Sequence, residues 1–179
     1  MADSQVETEP PLEGVPQTPN AKFKRTKYGP ITLKPKSHVD EFVIDVPKPC
    51  TDCFILAFQT ELVYKDNKKA NTVDGVQLRH MTLYNTNKRD LVCGGELYPM
   101  PARLHASSNQ RETSRLNPGN APYGMSIDAR DHFSMSYNVT NDSDKEKIIY
   151  VQMVCGDQFF LLRLMFAQLN PEDPQMTSS

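Results

Sequence analysis

The feature that most constrains this chain is alternation. In "HVDEFVIDV", residues 38–46, the apolar Val39, Phe42, Ile44 and Val46 are set against His38, Glu41 and Asp45, and a period near two belongs to a strand with one face in a core. "GVQLRHMTLY" repeats the pattern, with Val76, Leu78, His80, Thr82 and Tyr84 on one face and Gln77, Arg79, Met81 and Leu83 on the other. "CFILAFQTELVY" begins as an unbroken apolar run and then alternates, which predicts a long, largely buried strand. Turn-forming residues bound each run: Pro47 and Pro49, "KDNKKAN", and "NTNKRD".

Further strands are predicted over 91–93, 96–104, 132–139 and 147–154. Pro 14 against Gly 8, with no Trp, fits a chain broken into short segments. The prediction is one all-β domain over residues 25–170, a strongly twisted antiparallel barrel or folded ribbon. Its expected core is Phe42, Ile44, Phe54, Leu56, Phe58, Leu62, Leu78, Leu83, Leu97, Phe133, Ile149, Val151, Phe160, Leu162 and Leu164. Gly156-Asp157 reads as a tight hairpin turn. The segment after it, 158–169, has the composition of a helix and the apolar density of a buried strand, and the short connection favours strand. Residues 105–124, "HASSNQRETSRLNPGNAPYG", read as one long polar loop of the functional or mobile kind.

The first 24 residues carry Pro10, Pro11, Pro16 and Pro19 among acidic and polar groups. With so little apolar surface to offset the entropy of ordering, they are expected to form a disordered arm, and residues 171–179 a flexible tail. Lys24, Arg25 and Lys27 in "KFKRTK" match the short basic pattern of a nuclear import signal, although a solvated tail is the more frequent origin of such a cluster.

A net charge of -2 offers no general excess of cations for phosphate, so nucleic acid is not an expected partner. No apolar run reaches the roughly 20 residues of a membrane span, which predicts a soluble chain. The acidic N-terminus lacks the form of a secretory signal. Its four cysteines are therefore expected as thiols, and Asn138-Val139-Thr140 and Asn141-Asp142-Ser143 as turn and strand residues rather than glycan acceptors.

Motifs of catalysis are sparse. Cys50-Thr51-Asp52-Cys53 has metal-ligand spacing, but Cys93 and Cys155 stand alone and no paired histidines accompany them, so neither a metal nor a cofactor is expected. His38, His80, His105 and His132 are scattered, with no nucleophile elbow, Walker loop or dinucleotide fingerprint nearby. Gly94-Gly95 reads as a turn or bulge. No residue is assigned a catalytic role. Among the carboxylates, Asp128 stands out for its neighbours.

Ile127-Asp128, Asn141-Asp142-Ser143-Asp144 and Gly156-Asp157, in that order, resemble the C-terminal half of the deoxyuridine triphosphatase barrel over about 40 residues. The resemblance implies a pocket near Asp128. It stops short of the enzyme's equipment: Arg130, Asp131, His132 and Phe133 stand where that family has a Tyr and a Gly, and no Gly-Arg-Ser-Ser phosphate loop or Gly-rich closing arm is present. Without such cradles a triphosphate would go unneutralised. In length and layout the whole chain resembles the baculovirus telokin-like family, which implies a β-clip fold and a non-enzymatic viral accessory or assembly protein. Such a protein would self-associate as a homo-oligomer, for example a trimer, and bind an unidentified protein partner in the cytoplasm or nucleus of an infected cell. The alternatives are a nucleotide-binding relative of the triphosphatase that uses Asp128, and a capsid or envelope component.

Overall fold

The computed structural model describes residues 6–9, 22–92, 100–116 and 124–159. The chain is all-β, as the alternation predicts, and its strands form two antiparallel sheets without closing into a barrel. One sheet contains β1 (Val6–Glu9), β2 (Lys22–Leu33), β10 (Lys147–Phe159), β4 (Cys53–Val63) and β7 (Ser114–Arg115) in that order, with β8 (Met125–Ile127) also paired to β4. The other runs β3 (Ser37–Val46), β9 (Phe133–Asn141), β5 (Val76–Arg89), β6 (Pro101–Ser107).

The inner faces pack on one another. Phe58 and Leu62 of β4 and Ile149 and Val151 of β10 meet Leu78, Met81 and Leu83 of β5 and Phe133, Met135 and Val139 of β9. All are essentially inaccessible to water, and each large apolar side chain so buried contributes roughly 1.5–3 kcal/mol. A polar tie crosses this core: Thr60 Oγ1 of β4 lies 3.0 Å from His105 Nε2 of β6, and the His105 ring stacks on Phe58. A second tie sits at one end, where Asn141 Nδ2 donates to the carbonyls of Leu33, Lys34 and Lys145 at 2.8–3.2 Å. That amide pins the end of β2 to the β9–β10 turn, so its sequon is structural.

Several expectations are corrected. Phe42 and Ile44 are 57% and 68% exposed; the inward residues of β3 are Val39, Val43 and Val46, and the register shifts between Val43 and Val46 where Asp45 takes φ 57. Phe54 is only half-buried. Gly156-Asp157 is no hairpin, because β10 runs through it with a register shift. A Cβ at Gly156 would lie 3.1 Å from the Phe23 ring, so this glycine serves a close approach across the sheet rather than a turn.

Leu91 and Val92 lie in an exposed turn instead of a strand. The 105–124 loop is partly strand, since its first residues complete β6 and Ser114–Arg115 form β7. Within the arm expected to be disordered, Val6–Glu9 pairs with β2. Main-chain pairing to an open strand edge needs little from the side chains. Leu97, Phe160, Leu162, Leu164, Cys93, Gly94-Gly95 and the tail lie outside the described residues, and with them the choice between helix and strand beyond Phe159.

Candidate functional site

The outer face of the four-stranded sheet is where reactive groups gather. Its organiser is a β-bulge in β5: the register with β9 shifts between Leu78 and His80, so Leu78 and Met81 both point into the core while Arg79 and His80 between them are both exposed. An extra residue in a strand re-aims side chains in this way. It also overturns the simple two-face reading of "GVQLRHMTLY", which would put His80 on the face of Leu78.

Around His80 the face is built in rows. Asn138 of β9 pairs with His80 on one side and with Asp40 of β3 on the other, and Asn138 Nδ2 donates to Asp40 Oδ2 at 3.0 Å. The next row holds Phe42, Ser136 and Thr82, followed by Ser134 and Tyr84. The exposed Phe42 ring and the half-buried Tyr84 ring lie 6.0 Å apart and tilted, an aromatic pair on the same sheet face as His80. Such an apolar wall with a few polar groups can hold an organic molecule, and an exposed histidine can ligate a metal or carry a proton.

The remaining histidines do not join His80. His38 sits on β3 in the row of Thr140 and Gln77, two strand spacings or roughly 10 Å across the sheet. His105 faces the core, where burial pushes its pKa down to about 4 and keeps it neutral. His132 is exposed just before β9, 3.9 Å from Asp45. Cys50 and Cys53 form a disulfide, a correction to the expected thiols that removes both as thiolate ligands. Cys155 is buried in the core.

An imidazole-bound metal needs several donors converging on one point. Among the described residues no three His, Cys, Asp or Glu side chains are placed to hold a metal ion.

Asp128 is a turn-former. Its Oδ1 accepts from Arg130 N at 2.8 Å and its carbonyl accepts from Lys48 Nζ at 2.9 Å. The turn itself is held by Asp131. Asp131 is buried, and its Oδ2 accepts from Lys88 Nζ and from Asp128 N, both at 2.8 Å. Burial alone would raise its pKa, but the Lys88 ammonium and the Asp128 N–H outweigh it and hold the carboxyl below its ordinary value. This half-buried pair ties the Asp128–Asp131 turn to β5. Lys24, Arg25 and Lys27 lie within β2, each half-buried and flanked by β1 and β10. Lys27 also donates to Asn67 and sits over the Tyr150 ring, so the basic cluster belongs to a sheet rather than to a free arm.

No family model matches the chain, and no solved structure matches it. Among curated proteins it is similar to a probable copper-dependent oxygenase, M1, of Phoma sp., with 30% identity over 122 residues, 66% of this chain. The match covers 31% of that oxygenase's length. This likeness overturns the expectation of a non-enzymatic viral accessory or assembly protein, together with its nucleotide-binding and capsid alternatives, because the similar protein is named as an oxygenase.

Proposed function

We propose that the chain is an oxygenase, or one β-sandwich unit of an oxygenase, and that the outer face of the four-stranded sheet is the wall it contributes to the active centre. The observation that carries the reaction class is the 30% identity to the copper-dependent oxygenase. Its location rests on the bulge that turns Arg79 and His80 outward beside Asp40, Asn138 and the Phe42–Tyr84 rings.

Oxygen chemistry of this class depends on a bound metal or organic redox group. The described residues do not assemble a copper ligand set. What the face itself supplies is binding and orientation. The rings of Phe42 and Tyr84 would hold an apolar part of an organic substrate, the Asp40–Asn138 pair would fix a polar group, and His80 would ligate or transfer a proton at the reacting end. A substrate laid along β5 from Tyr84 towards His80 would meet the rings first and then the single row that holds Asp40, Asn138 and His80.

The test is oxygen uptake by the full chain with copper, a chemical reductant and a panel of organic substrates. Uptake that requires an organic substrate and falls at least about tenfold in His80→Ala is expected. No substrate-dependent uptake under any metal addition would refute the reading.

A further inference from the structure

The edge strand β3 carries a carboxylate at a position whose neighbours on the same face are core residues. In its register with β9, Val39 lies opposite Val139, Glu41 opposite Tyr137 and Val43 opposite Met135, and directly paired residues share one face of a sheet. Val139, Tyr137 and Met135 are buried in the core, with Val39 and Val43 packed against it. Glu41 therefore belongs to the inner face, between two valines, while Asp40 and Phe42 on either side of it belong to the outer one. Tyr137 Oη donates to Glu41 Oε2 at 2.6 Å, which fixes one oxygen of the group. No cation among the described residues pairs with this carboxylate, and Oε1 is left open.

An inward charge on an edge strand deters pairing with a further strand, but that role asks for no cavity. Here a cleft of about 340 Å³ opens between β3 and β2, with Tyr28, Pro30, Ile31 and Val39 in its walls and Glu41 exposed at its mouth. Among the described residues that line it, Glu41 is the one that carries a charge. Burial, and after it Glu41, raise the pKa of both Tyr28 and Tyr137, so the two phenols stay neutral and the cleft is left net negative. The half-buried Tyr28 ring, 6.0 Å from the Tyr137 ring and tilted to it, gives the cleft an aromatic side. Lys27, next to Tyr28 in the chain, is turned to Asn67 and the Tyr150 ring instead.

We propose that this cleft binds a small organic ammonium ion, a cation carried on apolar carbon. The ammonium takes the open oxygen of Glu41 and the face of the Tyr28 ring, whose π-electrons attract a cation, and its carbon body lies against Pro30 and Val39. A bare metal ion would gain nothing from those apolar walls, and a neutral molecule nothing from the carboxylate. The cleft lies on the inner side of β3, apart from the outer face that carries His80, and its occupancy does not depend on the oxygenase reading.

Titration of the isotope-labelled full chain, followed by amide NMR shifts, tests this with choline and with dimethylbutanol, its uncharged carbon isostere. Choline is expected to bind in the millimolar range and the isostere at least about tenfold more weakly, with shifts centred on Tyr28, Val39 and Glu41. Glu41→Gln keeps an acceptor for the Tyr137 hydroxyl, so it should fold normally, and it should weaken choline at least about threefold. Tyr28→Leu, which keeps apolar bulk without a π-face, should weaken it by about as much. No binding of choline, choline no tighter than the isostere, shifts centred away from these residues, or an affinity untouched by Glu41→Gln would each overturn the proposal.

Discussion

His105 makes the stability of this sandwich depend on pH in a defined window. The ring lies between the sheets against Phe58, with Nε2 on the Thr60 hydroxyl, and burial pushes its pKa from the ordinary 6.5 down to about 4. Between those values the unfolded chain binds a proton that the native one refuses, so the native state loses stability as pH falls through the window. Above it there is no penalty, and below it no further change. The full loss is about 3 kcal/mol, and at about pH 5 it is about 2 kcal/mol. For a domain of this size that lowers the melting temperature by about 4–8 °C. The assay is thermal or urea unfolding from about pH 7 to pH 4.5, on the wild type and on His105→Gln, which keeps an amide near Thr60 and cannot titrate. Gln should be less stable at neutral pH and should show a flatter slope across the window. Parallel slopes for the two proteins would refute the argument.

Asp131→Ala should cost about 1–2 kcal/mol in urea unfolding, because it leaves the Asp128 N–H without its acceptor and takes one of two partners from Lys88 Nζ, which is 40% exposed and keeps the Ser126 carbonyl at 2.7 Å. In the wild type the same depressed carboxyl adds an acid-side loss of stability only below about pH 4, separate from the histidine window. Phe58→Ala, at a ring with 0% exposure, should cost about 3–5 kcal/mol. Phe42→Ala, at 57% exposure, should stay within about 1 kcal/mol of wild type; a large loss there would mean that the outer face is covered.

Period two made the strands legible, and what it missed has physical causes. In β3 both residue sets are apolar: Val39 and Val43 form one, Phe42 and Ile44 the other. Size favoured the larger pair, whereas the packing selects the valines, and a register shift beside Asp45 lets Val46 join them. The β5 bulge left a trace in two polar residues side by side, Arg79 and His80, between the inward Leu78 and Met81. Strict alternation has no place for that trace. Cys50 and Cys53 were visible as a pair, but spacing alone does not separate a disulfide from two thiols. Arg111 read as one polar residue in a polar loop, because Glu61, the carboxylate it pairs with, is 50 positions away. Contacts of that range are set by how the segments fold together and leave no periodic mark.

The account stands on His80 being an outward imidazole that the rest of the described chain does not surround with other metal ligands. Electron paramagnetic resonance of the protein with one equivalent of Cu(II) tests this directly. In a background of His38→Ala and His132→Ala, which removes the other two exposed imidazoles, the expected spectrum is that of weakly held copper with one imidazole nitrogen, lost in His80→Ala. A tightly bound centre with several nitrogen ligands, or a signal unchanged by that substitution, would contradict it.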